Sequence, residues 1–220
     1  YATRGRDVFV NLFIGSDAQI TVAGGSVRLR QTTAYPWEGH VAIAVDPDKP
    51  AEFAIDVRIP GWARGEASPG GLYRFLDRPD QPSGARGFSR ATLTINGKPI
   101  ALTVDKGFAH IQRGWQKGDR IELDLPMTVE RVAADEHVVE DRGKVAIQRG
   151  PVVYAFEGID NDGHVLDRSL PRDAPLTARF DKTLLGGVTV ISGAGVTAVP
   201  YYAWNNRGRG EMTVWIDASR

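Results

Sequence analysis

Apolar residues in this chain alternate with polar ones, in runs too short for anything but β-strands. Val8, Val10, Leu12 and Ile14 share one parity; Val41, Ile43 and Val45 repeat it, as do Phe53, Ile55, Val57 and Ile59. A strand sends successive side chains to opposite faces, so a period of two marks a sheet with one face buried. Leu93 and Ile95 lead into Asn96-Gly97, followed by Ile100 and Leu102. Asn-Gly suits a two-residue hairpin turn, because both of its residues tolerate the positive φ that the turn demands. Gly24-Gly25, between Ile20–Val22 and Val27–Leu29, is a second hairpin candidate. Ile121, Leu123 and Leu125 continue the pattern up to Pro126, and Val145–Ile147, Val152–Phe156, Val188–Ile191 and Met212–Ile216 carry it onward.

No segment shows a sustained helical stripe; the best, Asp181–Leu185, is one turn at most. Many short strands separated by turn signals predict an all-β fold, here two consecutive antiparallel β-sandwich domains of jelly-roll type. The expected boundary lies at Pro126, giving domains 1–126 and 127–220. Residues 65–90 are rich in Gly and Pro with little alternation and read as a long loop.

Lys+Arg and Asp+Glu both number 27, so the net charge is zero. A nucleic-acid partner is therefore not expected, since meeting phosphates takes an excess of basic side chains. No apolar run approaches the roughly 18 residues of a membrane span. The absence of cysteine removes disulfides, thiolate metal sites and cysteine nucleophiles from this chain. It leaves the compartment open between bacterial cytoplasm and periplasm. Met127 and Met212 are the only methionines and the first residue is Tyr1, so the chain is expected to be a piece of a longer protein.

Candidate active sites are sparse. Glu130, Asp135, Glu136, Glu140 and Asp141 form an acidic stretch, but Arg131, Arg142 and Lys144 flank it and would lower the pKa that a general acid needs raised. A solvated connector is the expected role. His40, His110, His137 and His164 are far apart, with no spacing suited to a metal; His110 reads as a sheet position. No Gly-x-Ser-x-Gly elbow supports a serine nucleophile. Asp160-Asn161-Asp162-Gly163 opens like a calcium loop, yet its twelfth position is Pro171, so a turn between strands is expected. No catalytic residue, metal ligand or cofactor is thus assigned within the chain. Aromatic residues offer the best binding candidates: Tyr35 and Trp37, Trp62, and the group Tyr201, Tyr202, Trp204 and Asn205. Rings of this kind either stack on sugar faces or anchor a core, and exposure decides between the two.

Six strings, in order, carry a resemblance: Val10–Ser16, Gln31–Gly39, Val57–Ala63, Gly143–Tyr154, Leu184–Val188 and Pro200–Gly208. Together they resemble the C-terminal part of glycoside hydrolase family 127, the β-L-arabinofuranosidase family, over nearly the whole chain. Residues 65–90 depart from it as a longer loop. The resemblance implies an (α/α)6 barrel ahead of two β-sandwiches. It also implies a zinc-bound cysteine nucleophile and a glutamate acid/base within that barrel. The family's adjacent cysteine pair lies shortly before a segment like Tyr1–Arg4, so this chain is expected to begin just past the catalytic domain. No family catalytic or zinc-binding residue has a matching position here.

The expected function is therefore that of non-catalytic accessory domains, bracing the catalytic barrel of a bacterial hydrolase, with subunit pairing a further role open to them. Their expected partners are that barrel and a second subunit. The alternative is a carbohydrate-binding module for arabinose-containing plant oligosaccharides. An autonomous hydrolase would need a carboxylate cluster that the sequence does not offer.

Overall fold

A computed structural model describes residues 1–22, 24–76 and 91–218. Most of the expected loop at 65–90 thus lies outside the described residues. The chain is all-β: among the described residues the only helical elements are four short 3-10 turns. Packing divides these residues into two units, 1–64 with 91–127, and 65–76 with 128–218.

The first unit has two sheets. One orders the strands Ala2–Arg4, Asp7–Val10, Ala51–Arg58, Phe108–Trp115 and Val104–Asp105. The other orders Ser16–Val22, Gly25–Thr33, His40–Pro47, Asp119–Asp124, Thr92–Ile95 and Lys98–Pro99. Alternation does what it predicts: Val27, Leu29 and Gln31 are buried while Arg28, Arg30 and Thr32 are exposed. Ala51–Arg58 departs from it, with all five residues from Phe53 to Val57 buried. Both of its faces are covered, and Asp56 is tolerated inside because His110 Nδ1 meets its carboxylate at 2.9 Å. His110 is the direct cross-strand neighbour of Asp56, the sheet position expected of it. Trp115, fully buried, donates its indole N–H to the Phe53 carbonyl at 3.0 Å.

Both expected hairpins form. Ile95 pairs with Lys98 around Asn96 and Gly97, at φ 51° and 74°. The Asn96 side chain also ties down the next strand, donating to Asp119 at 2.7 Å and accepting from the Arg120 amide at 2.8 Å. Val22 pairs with Gly25 across the second turn, with Gly24 at φ 97°. One pairing breaks the antiparallel expectation. Asp7–Val10 lies parallel to Ala51–Arg58, with Val8 opposite Ile55 and Val10 opposite Val57. A parallel partner needs a long crossover. Here three strands of the opposite sheet supply it, and short-range alternation carries no trace of that.

The second unit is a single nine-stranded sheet folded over its own core. Its main path runs Thr177–Asp181, Val188–Gly193, Val196–Pro200, Val152–Glu157, Lys144–Arg149, Val129–Ala134 and Tyr73–Phe75. The hairpin between Lys144–Arg149 and Val152–Glu157 is paired only next to its turn, at Gln148↔Val153 and Arg149↔Val152. Beyond that the arms splay. Lys144 and Val145 pair instead with Asp217 and Ile216, and Phe156 and Glu157 with Thr213 and Met212. The space between the arms is filled by Val145, Ile147, Tyr154, Phe156, Leu170 and Ile216, which belong to one buried cluster. Burial pushes the Tyr154 hydroxyl up to about 12, against the pull of Arg149.

Two sequence expectations change here. Tyr73–Phe75, expected in a loop, is an edge strand on Val129–Ala134, and Tyr73 stacks on Trp215 at 5.6 Å. Val132 pairs with Phe75 and Ala134 with Tyr73, 57 and 61 residues apart in sequence, a partnership that periodicity over three residues cannot reveal. Asp181–Leu185 is no helical turn. Asp181 accepts from the Thr183 amide and hydroxyl at 3.0 and 2.7 Å, and Leu185 has φ 49°.

Candidate functional site

The aromatic candidates fall into two groups, one in each unit. In the first unit the loop after Thr33 turns through a cis Tyr35–Pro36 bond. The Trp37 and Glu38 amides both donate to the Ala34 carbonyl, at 3.0 and 3.2 Å. Gly39 closes the loop against the strand end: its carbonyl accepts from the Leu125 amide at 3.0 Å, and a Cβ on it would lie 2.0 Å from the Leu125 oxygen. Tyr35 is half-buried, edge-on to the buried ring of Phe13 at 5.5 Å. Burial raises its pKa, while the neighbouring Trp62 side chain acts the other way. Trp62 itself is buried within a 3-10 turn, Gly61–Arg64. Of these three rings only Trp37, 53% exposed, faces solvent broadly.

The second group sits on the segment 200–211. Tyr201–Ala203 is a 3-10 turn that leaves Tyr201 and Tyr202 46% and 53% exposed. Trp204 is half-buried, tilted against Tyr201 at 6.2 Å. Asn205 is exposed at φ 61°, and its amide donates to Glu157 Oε1 at 2.8 Å. Trp204, Asn205, Arg209 and Glu211 line a shallow depression that is open to solvent.

What holds this segment is a charge cluster that sequence reasoning missed. Arg207 forks onto Asp160, at 2.6 and 2.5 Å, and reaches Glu157 at 2.6 Å. Glu157 is buried, and this pairing raises the Arg207 pKa further above its ordinary value. At the far end Glu211 accepts from the Val165 and Leu166 amides at 2.8 and 3.2 Å, which hold its carboxyl below the usual range. The rings therefore sit between the strand that ends at Pro200 and a clamped stretch from Asn205 to Glu211. One clue was available: Glu157 ends an apolar strand at a buried parity, and a buried charge demands a partner. That the partner would be Arg207, 50 residues on, was not legible.

Of the carboxylates that sequence alone offers for chemistry, those of the 160–162 turn are occupied structurally, whereas in the acidic stretch burial, with Glu140 beside it, raises the Asp141 pKa against the pull of Lys144, contrary to the lowering expected. Asp160 holds Arg207, and Asp162 holds Arg168 at 3.0 Å. Between them, buried Asn161 donates to the Glu157 and Thr197 carbonyls and accepts from the Thr197 amide. This is a pinned turn between strands. Of the acidic stretch, Glu130 is buried in a strand and accepts from Thr128 at 2.8 Å, contrary to the solvated role expected of it. Asp135 takes the His137 backbone and ring, which lower its pKa. His40 and His164 face Asp124 and Glu211 at 2.8 and 3.9 Å. Each histidine thus has its own carboxylate, and none converges with another. Among the described residues no three of His, Cys, Asp and Glu group together as metal ligands would.

Comparison with known proteins divides the chain near residue 128, although residues 65–76, inside the first match, pack with the second unit. Residues 7–127 match the family described as "Beta-L-arabinofuranosidase, GH127 middle domain", and residues 129–217 match "Glycoside hydrolase family 127 C-terminal domain". A non-reducing end β-L-arabinofuranosidase of Bifidobacterium longum is 30% identical over 247 residues, covering 96% of this chain and 33% of the relative. Among solved structures, a GH127 β-L-arabinofuranosidase from Geobacillus stearothermophilus T6 superposes with TM-score 0.84 and 38% identity, covering 100% of this chain and 35% of that one. The GH127 β-arabinofuranosidase BT3674 gives TM-score 0.88 at 32% identity, over 99% of this chain and 36% of its own. The chain spans about a third of the length of these relatives. It belongs to glycoside hydrolase family 127, of which it carries the middle and C-terminal β domains.

Proposed function

We propose that these two domains are the non-catalytic part of a bacterial β-L-arabinofuranosidase-like hydrolase and brace the barrel in which its chemistry takes place. The observation that carries this reading is the fate of the carboxylates withdrawn from water. Buried Asp56 and Glu157 are engaged by His110 and Arg207, half-buried Asp160 shares Arg207, and buried Asp119 and Glu130 accept from Asn96 and Thr128. A general acid needs a carboxyl whose pKa is raised and which is free to reach substrate; an arginine fork does the opposite. The zinc and cysteine chemistry implied by the family does not fit this chain, which has no cysteine. In the relatives it would lie in the two thirds of their length that this chain does not match. The test is turnover of an aryl β-L-arabinofuranoside by the purified 220-residue chain. No turnover above buffer is expected; activity abolished by a single substitution within the chain would overturn the reading.

A second reading rests on Trp37, Tyr201 and Tyr202, whose exposed rings could stack on sugars. The clamp from Asn205 to Glu211 favours it, because a pre-ordered ring loses little entropy on binding. Titrating the chain with arabinose-containing oligosaccharides while following tryptophan fluorescence tests it; a flat response across a broad panel would remove it. Subunit pairing is a third role within the proposal, and sedimentation equilibrium of the full-length protein decides it.

A further inference from the structure

The segment between the strands Asp7–Val10 and Ser16–Val22 presents its side chains in an unusual order. Phe13 is buried, 4% exposed, with its ring against Tyr35. Its two neighbours point out: Leu12 is 67% exposed and Ile14 61%. This presentation is built into the fold. Buried Gln31 donates to the Leu12 carbonyl at 3.2 Å and to the Tyr1 hydroxyl at 2.9 Å, and Tyr1 meets Ser16 at 3.0 Å. With the backbone held from below and Phe13 anchored inside, Leu12 and Ile14 cannot turn inward. The loop of Tyr35, held by the same ring contact, adds exposed Trp37. Scattered exposed leucines need no explanation, but a fixed group of large apolar side chains marks an interaction surface.

We propose that Leu12 and Ile14, with Trp37 on the loop that Tyr35 packs against Phe13, form the face of the middle domain that docks an apolar, uncharged face of the catalytic domain on the same polypeptide. The inference rests on the accessory-domain reading above and names its contact surface. Two observations favour this occupant over a second copy or a free ligand. The relatives carry about two thirds of their length beyond the part this chain matches, so each copy of the face has a large neighbour linked to it. A tethered neighbour meets the face at high effective concentration, which lets an interface be apolar without exposing it in the finished protein. The shape of the face points the same way. Its large apolar side chains are two aliphatics and a single ring, which resembles an internal domain contact more than a sugar platform built from several rings.

The test replaces the matching third of the Geobacillus stearothermophilus enzyme with this chain, and compares that chimera with its Leu12→Ser/Ile14→Ser form. The expected result is an active chimera whose variant is inactivated by heat at least on the order of tenfold faster, as follows from losing the burial of two aliphatic side chains at the contact. In the isolated chain the same variant should keep its melting temperature, because exposed side chains contribute little to the folding of their own domain. Equal inactivation rates for chimera and variant would overturn the proposal. So would a collapse of the isolated variant, which would make these residues core, or reversible self-association of the isolated chain that the variant abolishes without effect on the chimera. An unsubstituted chimera that is inactive would count against the accessory-domain reading itself, and the surface assignment would fall with it.

Discussion

Replacing Arg207 by leucine removes the fork onto Asp160 and the contact to Glu157 together. The Arg207 side chain is 18% exposed, Glu157 7% and Asp160 16%, so the group is nearly but not wholly dry. Removing one partner of a fully buried pair costs about 3–5 kcal/mol, because the remaining charge is stranded. Two features reduce that here. Glu157 keeps the Asn205 amide as a donor, and Asp160 can turn toward water. The expected loss is about 2–4 kcal/mol from the second unit. For a unit of this size that lowers its melting temperature by roughly 10–20 °C. Arg207→Lys should recover less than half, since an ammonium cannot fork across two carboxylates. Arg207→Leu combined with Glu157→Gln should recover more, since it removes the stranded charge. The raised Arg207 pKa sets the sign of the pH effect. Its contribution is complete below the unfolded arginine pKa and is lost only as pH rises past the folded one, so the loss on substitution should stay constant across the working range. Differential scanning calorimetry of the 220-residue chain measures all of this. A loss under about 0.5 kcal/mol in Arg207→Leu, the scale of an ordinary surface change, would refute the clamp.

Gly39→Ala drives a methyl into the Leu125 carbonyl and should cost about 3 kcal/mol, read as a lowered denaturation midpoint in urea. Asn161→Ala strips three hydrogen bonds from a buried turn and should cost about 2–4 kcal/mol by the same measurement. Arg28 holds the Asp17 carboxyl down to about 2, against the opposing effect of desolvation. Its contribution to stability is present above the unfolded value of 3.8 and disappears as pH falls through 2, so Asp17→Asn should flatten the acid limb of the stability curve between those values. An NMR titration that finds Asp17 at an ordinary carboxylate pKa would remove that expectation.

The strands were legible because their physics is local. A half-buried strand must alternate, and Val27, Leu29 and Gln31 against Arg28, Arg30 and Thr32 write that requirement directly into the chain. Asn96-Gly97 was legible for the same reason, since only a few residues accept positive φ in a two-residue turn; at the second hairpin Gly24 does so, while Gly25 already belongs to the next strand, paired with Val22. The strings Gln31–Gly39 and Gly143–Tyr154 carried the family. Gly39 shows why one of them is so restricted: no side chain fits between its backbone and Leu125.

Local residue order was therefore enough for an all-β chain, its hairpins and its kinship. Tertiary structure alone decided which strands meet across long separations, and hence which charges and rings are available. The parallel partnership of Asp7–Val10 with Ala51–Arg58, the splayed hairpin and the edge strand Tyr73–Phe75 all depend on how distant segments share space. So do the sites. Tyr35, Trp37 and Trp62 are alike in sequence, yet one is half-buried, one exposed and one enclosed, because burial is a property of neighbours. Glu157, Asp160 and Arg207 read as unrelated charges until the fold brings them within hydrogen-bonding distance. Desolvation makes that meeting obligatory, and it acts only on groups that the finished structure has already withdrawn from water.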